Sequence, residues 1–289
     1  MTLLDMQRVF SRLLTDSEFQ RAFVAGDDSV YADYALTERE LHSLRGLKWD
    51  WVGLHSHLLA HNRVELAFKG LPLTAGLIHE QVHRLLDRFC REHPPTPEPE
   101  SAVYIESNRM ARFLARLAAA GELDPVWAAE VAEYERITVV LSLTAAAADS
   151  AAAVARLNAT NTGPAAMLVE AVPVGGPHTH VGTFRYPLVD ILPLLDSGVL
   201  PTDVVPTGQP LRILFHKVAG VHQTQTLKIN NATATLLDLC DGQRTVRAIV
   251  DHLTGVHGPG VEAGVLAVLD RLRSIGVLGL RKGAWVCAA

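Results

Sequence analysis

Apolar residues recur every three or four positions along most of the chain up to residue 157. The series opens with Leu3, Met6 and Val9, and this spacing predicts an amphipathic helix. Capping boxes at Thr15–Glu18 and Thr37–Glu40, each a hydroxyl followed three residues later by a glutamate, indicate the starts of two further helices. Helical spacing also covers four longer segments: 49–68, 73–91, 101–117 and 124–157.

A run of prolines interrupts this helical series. His93–Pro99 holds four prolines within six residues, which disfavours helix and favours an extended spacer. Such a spacer is typical both of a domain linker and of a long crossover inside one helical bundle.

Strand patterns appear after residue 160. Segments 166–172 and 181–186 are rich in the residue types that favour strands. Segments 211–218 and 222–229 predict a hairpin around Gly220. Three helices and a small terminal wing complete the predicted pattern, with helices at 231–240, 245–254 and 261–275 and wing strands at 277–280 and 284–287.

These patterns predict an α+β fold, in which an N-terminal helical bundle is followed by a β-hairpin region and a C-terminal winged-helix-like domain. We place a helical domain at 1–160 and an α+β region at 161–289. The winged-helix-like part of that region covers about 208–289.

Charge and cysteine content narrow the classes of function. The net charge is −5 over 289 residues, with no basic stripe of the kind that a nucleic-acid groove needs. The N-terminus has no cationic segment followed by an apolar core, and the alanine-rich stretch 137–157 carries Asp149 and Arg156. The three cysteines are far apart, which favours a reducing compartment. We therefore expect a cytoplasmic protein that binds neither nucleic acid nor membrane.

The segment His79-Glu80-Gln81-Val82-His83 matches the spacing of a zinc hydrolase motif. Two histidines four residues apart on a helix can hold zinc while the glutamate acts as a base. A third ligand is needed, and the chain runs instead into the proline segment, so a surface helix with two polar histidines is the simpler interpretation. We expect no catalytic residue and no metal ligand in this chain.

A second polar and aromatic cluster lies on the segment 49–68. His57 and His61 share one helix face, and together with the pair His79 and His83 they could complete a four-nitrogen metal site or line an interface. Exposed tryptophan is enriched at protein interfaces. The candidate interface with a partner protein consists of Trp49, Trp51, His57 and His61.

Two segments resemble known families. Phe184-Arg185-Tyr186-Pro187-Leu188-Val189-Asp190-Ile191, preceded by helices and followed by a strand at 211–215, resembles the partner proteins of multinuclear non-heme iron oxidative enzymes. The segment from Leu227 to Val246, a strand leading into a helix, Asp241-Gly242 and a helix opening at Thr245-Val246, is similar to PqqD-like peptide-recognition domains. The N-terminal 70 residues are longer and richer in histidine than the resemblance implies.

The resemblance implies a non-catalytic accessory subunit. Such partners form a heterodimer with the iron enzyme, and the iron ligands belong to the enzyme. The partner binds the leader of a ribosomal precursor peptide and presents a cysteine of that peptide to the metal centre. Oxidative rearrangement of the cysteine follows, as in pathways of the methanobactin or 3-thiaglutamate type.

A peptide could add as a further strand to the edge of the hairpin strand at 222–229, with side-chain pockets supplied by the last helix. The candidate peptide-binding residues are Gln223, Thr224, Gln225, Thr226, Leu227, Leu266, Leu269 and Arg273.

Two other classes of function stay open on the sequence alone. A winged-helix DNA-binding regulator would read DNA with the last helix, which carries Arg271 and Arg273 but also Glu262 and Asp270. A zinc-dependent hydrolase would use His79, Glu80 and His83. Salt-dependent DNA affinity would support the first class, and zinc lost on substitution of the histidines would support the second.

Overall fold

A computed structural model describes residues 3–94, 101–221 and 223–282. Residues 95–99 of the predicted spacer, His222, Cys287 and the predicted wing strand at 284–287 lie outside the described residues. The described part of the chain divides into two compact units, Met1–Glu133 and Tyr134–Ala289.

The N-terminal unit is helical, as the apolar spacing predicts. Its helices are α1 (Leu3–Thr15), α2 (Ser17–Val24), α3 (Glu38–Arg45), α4 (Trp49–Gly70), α5 (Pro72–Ile78), α6 (Val82–Glu92), α7 (Ala102–Ala119) and the start of α8 (Ala128–Leu143).

Two clusters of buried side chains stabilise this unit. One joins α4, α6 and α7 around Phe89, Phe113 and Leu114, which are inaccessible to solvent. The other holds α1 and α2 together through Leu13 and Phe23. The removal of this apolar surface from water is the main force holding the helices in place.

The two predicted capping boxes have different outcomes. The box at Thr37 is confirmed, because the Thr37 hydroxyl accepts from the Glu40 amide and the Glu40 carboxylate accepts from the Thr37 amide. The box at Thr15–Glu18 is wrong. Asp16 caps α2 by accepting from the amides of Glu18 and Phe19, since a carboxylate reaches both of these orphan donors.

The C-terminal unit combines helices with short antiparallel strands. Its helices are the remainder of α8, α9 (Ala145–Thr160), α10 (Leu188–Asp196), α11 (Asn231–Leu239), α12 (Val246–His257) and α13 (Glu262–Ser274), and its strands are β1 (Val172–Val174), β2 (Thr179–Phe184), β3 (Leu211–Lys217), β4 (Thr224–Ile229) and β5 (Gly279–Arg281). The chain is therefore an α+β protein, as predicted.

The strands that the structure describes form two sheets. In the larger sheet the order is β2-β3-β4, and both pairs are antiparallel. In the smaller sheet β5 pairs with β1, with Pro173 opposite Leu280. The predicted strand at 166–172 is wrong over most of its length, because residues 165–167 form a 3-10 turn and the strand begins at Val172. The predicted hairpin at 211–229 is confirmed.

Helix α9 belongs to the C-terminal unit, so the division between the compact units falls earlier than the boundary predicted at residue 160. The physical reason is side-chain hydrogen bonding from the last turn of α9 and from Asn161, the residue that follows it. The Asn158 amide donates to the carbonyls of Arg273 and Leu278, and the Asn161 amide donates to the Leu280 carbonyl at 2.7 Å. These bonds hold the end of α9 against β5 and against the end of α13.

Among the described helices, none alone has the length and hydropathy of a membrane span. Helices α8 and α9 reach that threshold only as a pair, and the chain bends by 69° between them.

Candidate peptide-binding site

Strand β4 lies at one edge of the larger sheet. Among the strands that the structure describes it pairs with β3 alone, so its outer edge carries amides and carbonyls that the sheet does not use. An exposed row of such groups can pair with an extended peptide. Gln223 is exposed and lies just before the strand.

One face of β4 packs against α8. Thr226 lies opposite Phe215, whose ring centroid is 5.1 Å from that of Tyr134 on α8. The Thr224 hydroxyl lies 3.0 Å from the Ser142 hydroxyl. Thr224 and Thr226 therefore position the strand against the helix, and their side chains do not point to the opposite face.

The opposite face of β4 carries the alternate side chains, Gln225, Leu227 and Ile229. Leu227 lies opposite Leu214, which is buried in the C-terminal core, and Ile229 packs against the same core. Because side chains alternate along a strand, Gln225 and Leu227 are the predicted peptide-binding residues that lie on the core-facing side of the sheet.

An apolar groove of about 630 Å³ begins where β4 ends. One wall is the first turn and a half of α11, from Asn231 to Leu236, and the end of α12 contributes Leu253 and His257. The other wall is α13 together with Val261, the residue before it, and the residues of the helix that contribute are Gly264, Val265 and Val268.

The residues predicted on α13 do not line this groove. Leu269 is fully buried in the core of the C-terminal unit, and its role as a peptide-contacting residue stays a prediction. Leu266 is half-buried and packs against the same core. Arg273 has a side chain only 13% exposed and lies 3.7 Å from the Asp270 carboxylate.

The missed groove residues have a recognisable pattern. The leucines of α13 enter the core, whereas its valines Val265 and Val268 pack against the edge of that core and also line the groove. The spacing of 261, 264, 265 and 268 marks one helix face, and it could have been found by treating the valines separately from the leucines.

Chemically, the groove suits apolar side chains. None of the described residues that line it is aspartate, glutamate, lysine or arginine. Its polar atoms come from Asn230, Asn231, Thr233, Thr235 and His257. Concave, mostly apolar sites with a few polar groups are typical of ligand pockets.

The tryptophans of the predicted partner interface have different environments. Trp49 is half-buried and its ring centroid lies 5.7 Å from that of Phe23, so it anchors the N-terminal core. Trp51 is 60% exposed. Leu54 and Leu58 follow it at helical spacing and are also exposed. These three residues form an apolar stripe on α4, which we call the α4 stripe.

His57 and His61 lie side by side on α4, with ring centroids 4.3 Å apart. The structure also brings His83 of α6 to within 6.2 Å of His61, measured between ring centroids. Within the described ranges, no group of three or more histidine, cysteine, aspartate or glutamate side chains has the arrangement of a metal site.

The zinc-motif segment is not one helix. Helix α5 ends at Ile78, residues His79–Gln81 form a 3-10 turn, and α6 begins at Val82. The single helix predicted at 73–91 is therefore wrong at this point. His79 and His83 do not have the spacing along one α-helix that the hydrolase motif requires.

Among the described residues, His178, immediately before β2, and His216, within β3, are buried. The His178 Nδ1 lies 2.7 Å from the Ser150 hydroxyl, and its Nε2 donates to the Val277 carbonyl at 3.0 Å. Burial lowers the pKa of His178, although the bond to the Val277 carbonyl opposes this shift. Burial also lowers the pKa of His216, and the proximity of His178 adds to that effect.

The geometry thus defines an α+β protein with an open strand edge that runs into an apolar groove. No protein-family model matches the chain, and no curated protein is significantly similar to it in sequence.

Proposed function

We propose that this chain is a non-catalytic partner subunit that binds the leader of a ribosomal precursor peptide. In this proposal it presents a cysteine of that peptide to a multinuclear non-heme iron enzyme, with which it forms a cytoplasmic heterodimer. The observation that carries the proposal is the open edge of β4 continuing into the apolar groove between α11 and α13.

Residues of about 208–289 act as a PqqD-type peptide-recognition domain of winged-helix-like topology in this proposal. The order of elements that supports it is a hairpin, β3 and β4, followed by the three helices α11, α12 and α13. The leader adds to β4 as a further strand, and its main chain supplies hydrogen bonds that do not depend on sequence.

Sequence selectivity comes from side chains that enter the groove. Every second residue of an added strand points to one face of the sheet. On that face Gln225 and Leu227 of β4 contact the added strand of the leader. Apolar residues of the leader pack on Val265 and Val268. We expect a leader that carries apolar residues at alternate positions, or in a short helical turn beyond the strand.

The chemical role of this chain is positioning. The iron belongs to the partner enzyme and supplies the oxidative chemistry. Binding the leader converts a bimolecular encounter between the cysteine and the metal into an effectively intramolecular one. The α4 stripe, flanked by His57 and His61, is the surface that docks on the enzyme.

Filling the groove tests the peptide site directly. An added Cβ on Gly264 meets no atom within 4 Å, so Gly264→Leu fills the groove without a backbone clash. Gly255 on α12 has the same open surroundings and does not line the groove, so Gly255→Leu is the matched control. Both substitutions replace a helical glycine and favour helix.

The measurement is fluorescence anisotropy of a labelled leader peptide from a candidate ribosomal precursor. We expect Gly264→Leu to weaken binding at least tenfold and Gly255→Leu to leave it unchanged. Equal affinity of the two variants, or no binding by the unsubstituted protein, would sink the proposal.

A further inference from the structure

Four potential metal ligands lie on two neighbouring helices of the N-terminal unit. His57 and His61 are one turn apart on α4, and His83 and Asp87 are one turn apart on α6. The ring centroids of His57 and His61 are 4.3 Å apart, and the His83 ring lies 6.2 Å from that of His61. Asp87 and His57 line the same pocket, which has a volume of about 190 Å³. The α4 pair and the α6 pair are therefore close to each other.

These four side chains make no hydrogen bond or ion pair with any other residue that the structure describes. Two other histidines of the same helices and their connection differ in this respect. The His55 Nδ1 lies 2.8 Å from the Trp51 carbonyl oxygen, and the His79 Nδ1 lies 3.2 Å from the Gly76 carbonyl oxygen. Of the four potential ligands, His61 is half-buried and the other three are exposed. Their nitrogen and oxygen lone pairs are thus available to an ion from solvent.

The chemistry of this ligand set selects a class of ion. Imidazole nitrogens, with a carboxylate oxygen, are typical ligands of Zn²⁺, and imidazole also suits Ni²⁺ and Cu²⁺. Mg²⁺ prefers oxygen ligands alone. Arg63 lines the same pocket, but its guanidinium donates to the Glu106 carboxylate at 3.0 Å, which balances its charge. The set therefore favours a divalent transition-metal ion.

The structure gives His83 a different partner from the one in the sequence motif. His79 belongs to the 3-10 turn before α6, whereas Asp87 follows His83 by one turn of the α-helix itself. Residues four apart on an α-helix lie on one face, so His83 and Asp87 can reach the same ion. The further ligands that the motif lacks come from α4, which is distant in sequence and adjacent in the fold.

The imidazole rings as they stand do not surround one point, and side-chain rotation is needed to bring them together. Two imidazoles on one tetrahedral zinc ion have ring centroids about 5 Å apart, because each Zn–N bond is about 2 Å long. The observed separations of 4.3 and 6.2 Å lie on either side of this value. His57 and His83 are exposed, so they can change rotamer without disturbing the core.

We propose that α4 and α6 together bind one divalent transition-metal ion of the zinc type. Its ligands are the imidazoles of His57, His61 and His83 and the carboxylate of Asp87. The ion joins α4 to α6 beside the α4 stripe. The site lies within the N-terminal unit and does not depend on the peptide-binding function proposed above.

Isothermal titration of the full chain, without an affinity tag, tests this assignment with zinc chloride and nickel chloride. Magnesium chloride is the control ion. His61→Gln removes a ligand from α4, and His83→Gln removes one from α6. His55→Gln is the matched control, because His55 also lies on α4 and its Nδ1 contacts the Trp51 carbonyl. Thermal unfolding of each variant without metal checks that it is folded.

We expect saturable binding of one Zn²⁺ or Ni²⁺ ion per chain in the unsubstituted protein and in His55→Gln. In His61→Gln and in His83→Gln the affinity should fall at least tenfold. Three results would overturn the proposal. They are the absence of saturable binding of either ion, binding of Mg²⁺ as tight as that of Zn²⁺, or an unchanged affinity in His83→Gln, which would leave only a surface pair on α4.

Discussion

Arg63 and Glu106 form an ion pair in which both side chains are less than one tenth exposed. Taking two charges out of water is expensive, and their mutual attraction offsets that cost only while both partners are present. The pair joins α4 to α7, two helices of the N-terminal core. The ion pair therefore stabilises the folded protein only while both charged side chains are present.

Substituting one partner should be more harmful than replacing both. We expect Glu106→Leu to lower the free energy of unfolding by about 3–5 kcal/mol, because it leaves a buried guanidinium without its counter-charge. Adding Arg63→Met should restore much of this loss. Urea unfolding followed by circular dichroism measures both, and a double variant less stable than Glu106→Leu would contradict this account.

On α13, neighbouring apolar residues have separable roles. Leu269 is fully buried in the core, whereas Val265 lines the groove. Leu269→Ala should reduce the free energy of unfolding by about 2–5 kcal/mol through the cavity that it creates. Val265→Ala should change stability far less and weaken leader binding. Urea unfolding and peptide anisotropy on both variants separate the roles, and the reverse pattern would show that the groove is not the binding surface.

At the scale of elements, α4 combines three tasks along its length. Trp49 anchors its first turn in the N-terminal core, the α4 stripe stays exposed, and Arg63 enters the buried ion pair near its end. Exposed large apolar residues grouped on one helix face are typical of protein interfaces.

A charge placed in the α4 stripe should weaken assembly with the enzyme. We expect Leu58→Glu to reduce co-elution with the proposed partner iron enzyme in size-exclusion chromatography, because a desolvated carboxylate at an interface is costly. Val24→Glu is the control, since Val24 on α2 is 53% exposed and lies outside the stripe, against 56% for Leu58. Equal loss of co-elution in both variants would remove the stripe from the proposed interface.

At the scale of the whole molecule, buried neutral histidines make stability depend on pH. The pKa of His178 and that of His216 are lowered by burial in the folded protein. Between each folded pKa and the unfolded value of about 6.5, the unfolded chain binds more protons. The stability that these neutral histidines contribute is therefore fully present above a pH of about 6.5, and it is lost as the pH falls below that value.

We expect the free energy of unfolding to fall between pH 7.5 and pH 5, by at most about 1.4 kcal/mol per pH unit for each such histidine. Urea unfolding at several pH values gives this slope. His178→Gln should reduce the slope, because it removes a buried titrating group. An unchanged slope in His178→Gln would assign the pH dependence to other groups.

Local patterns in the chain were enough for much of the architecture. The helices at 49–68, 101–117 and 231–275 and the hairpin at 211–229 are confirmed, because amphipathic spacing, caps and turn residues act over a few neighbouring positions. The same local information located the edge strand β4. The peptide and partner-enzyme functions inferred from resemblance stay a prediction.

Tertiary packing decided what local patterns left open. Only the fold shows which apolar residues of α13 enter the core, that Arg63 meets Glu106, and that the zinc-motif segment breaks at His79–Gln81. These features depend on contacts between residues far apart in sequence, and a periodicity read along the chain does not contain them. Spacing shows that a helix has an apolar face, whereas its neighbours decide what that face covers.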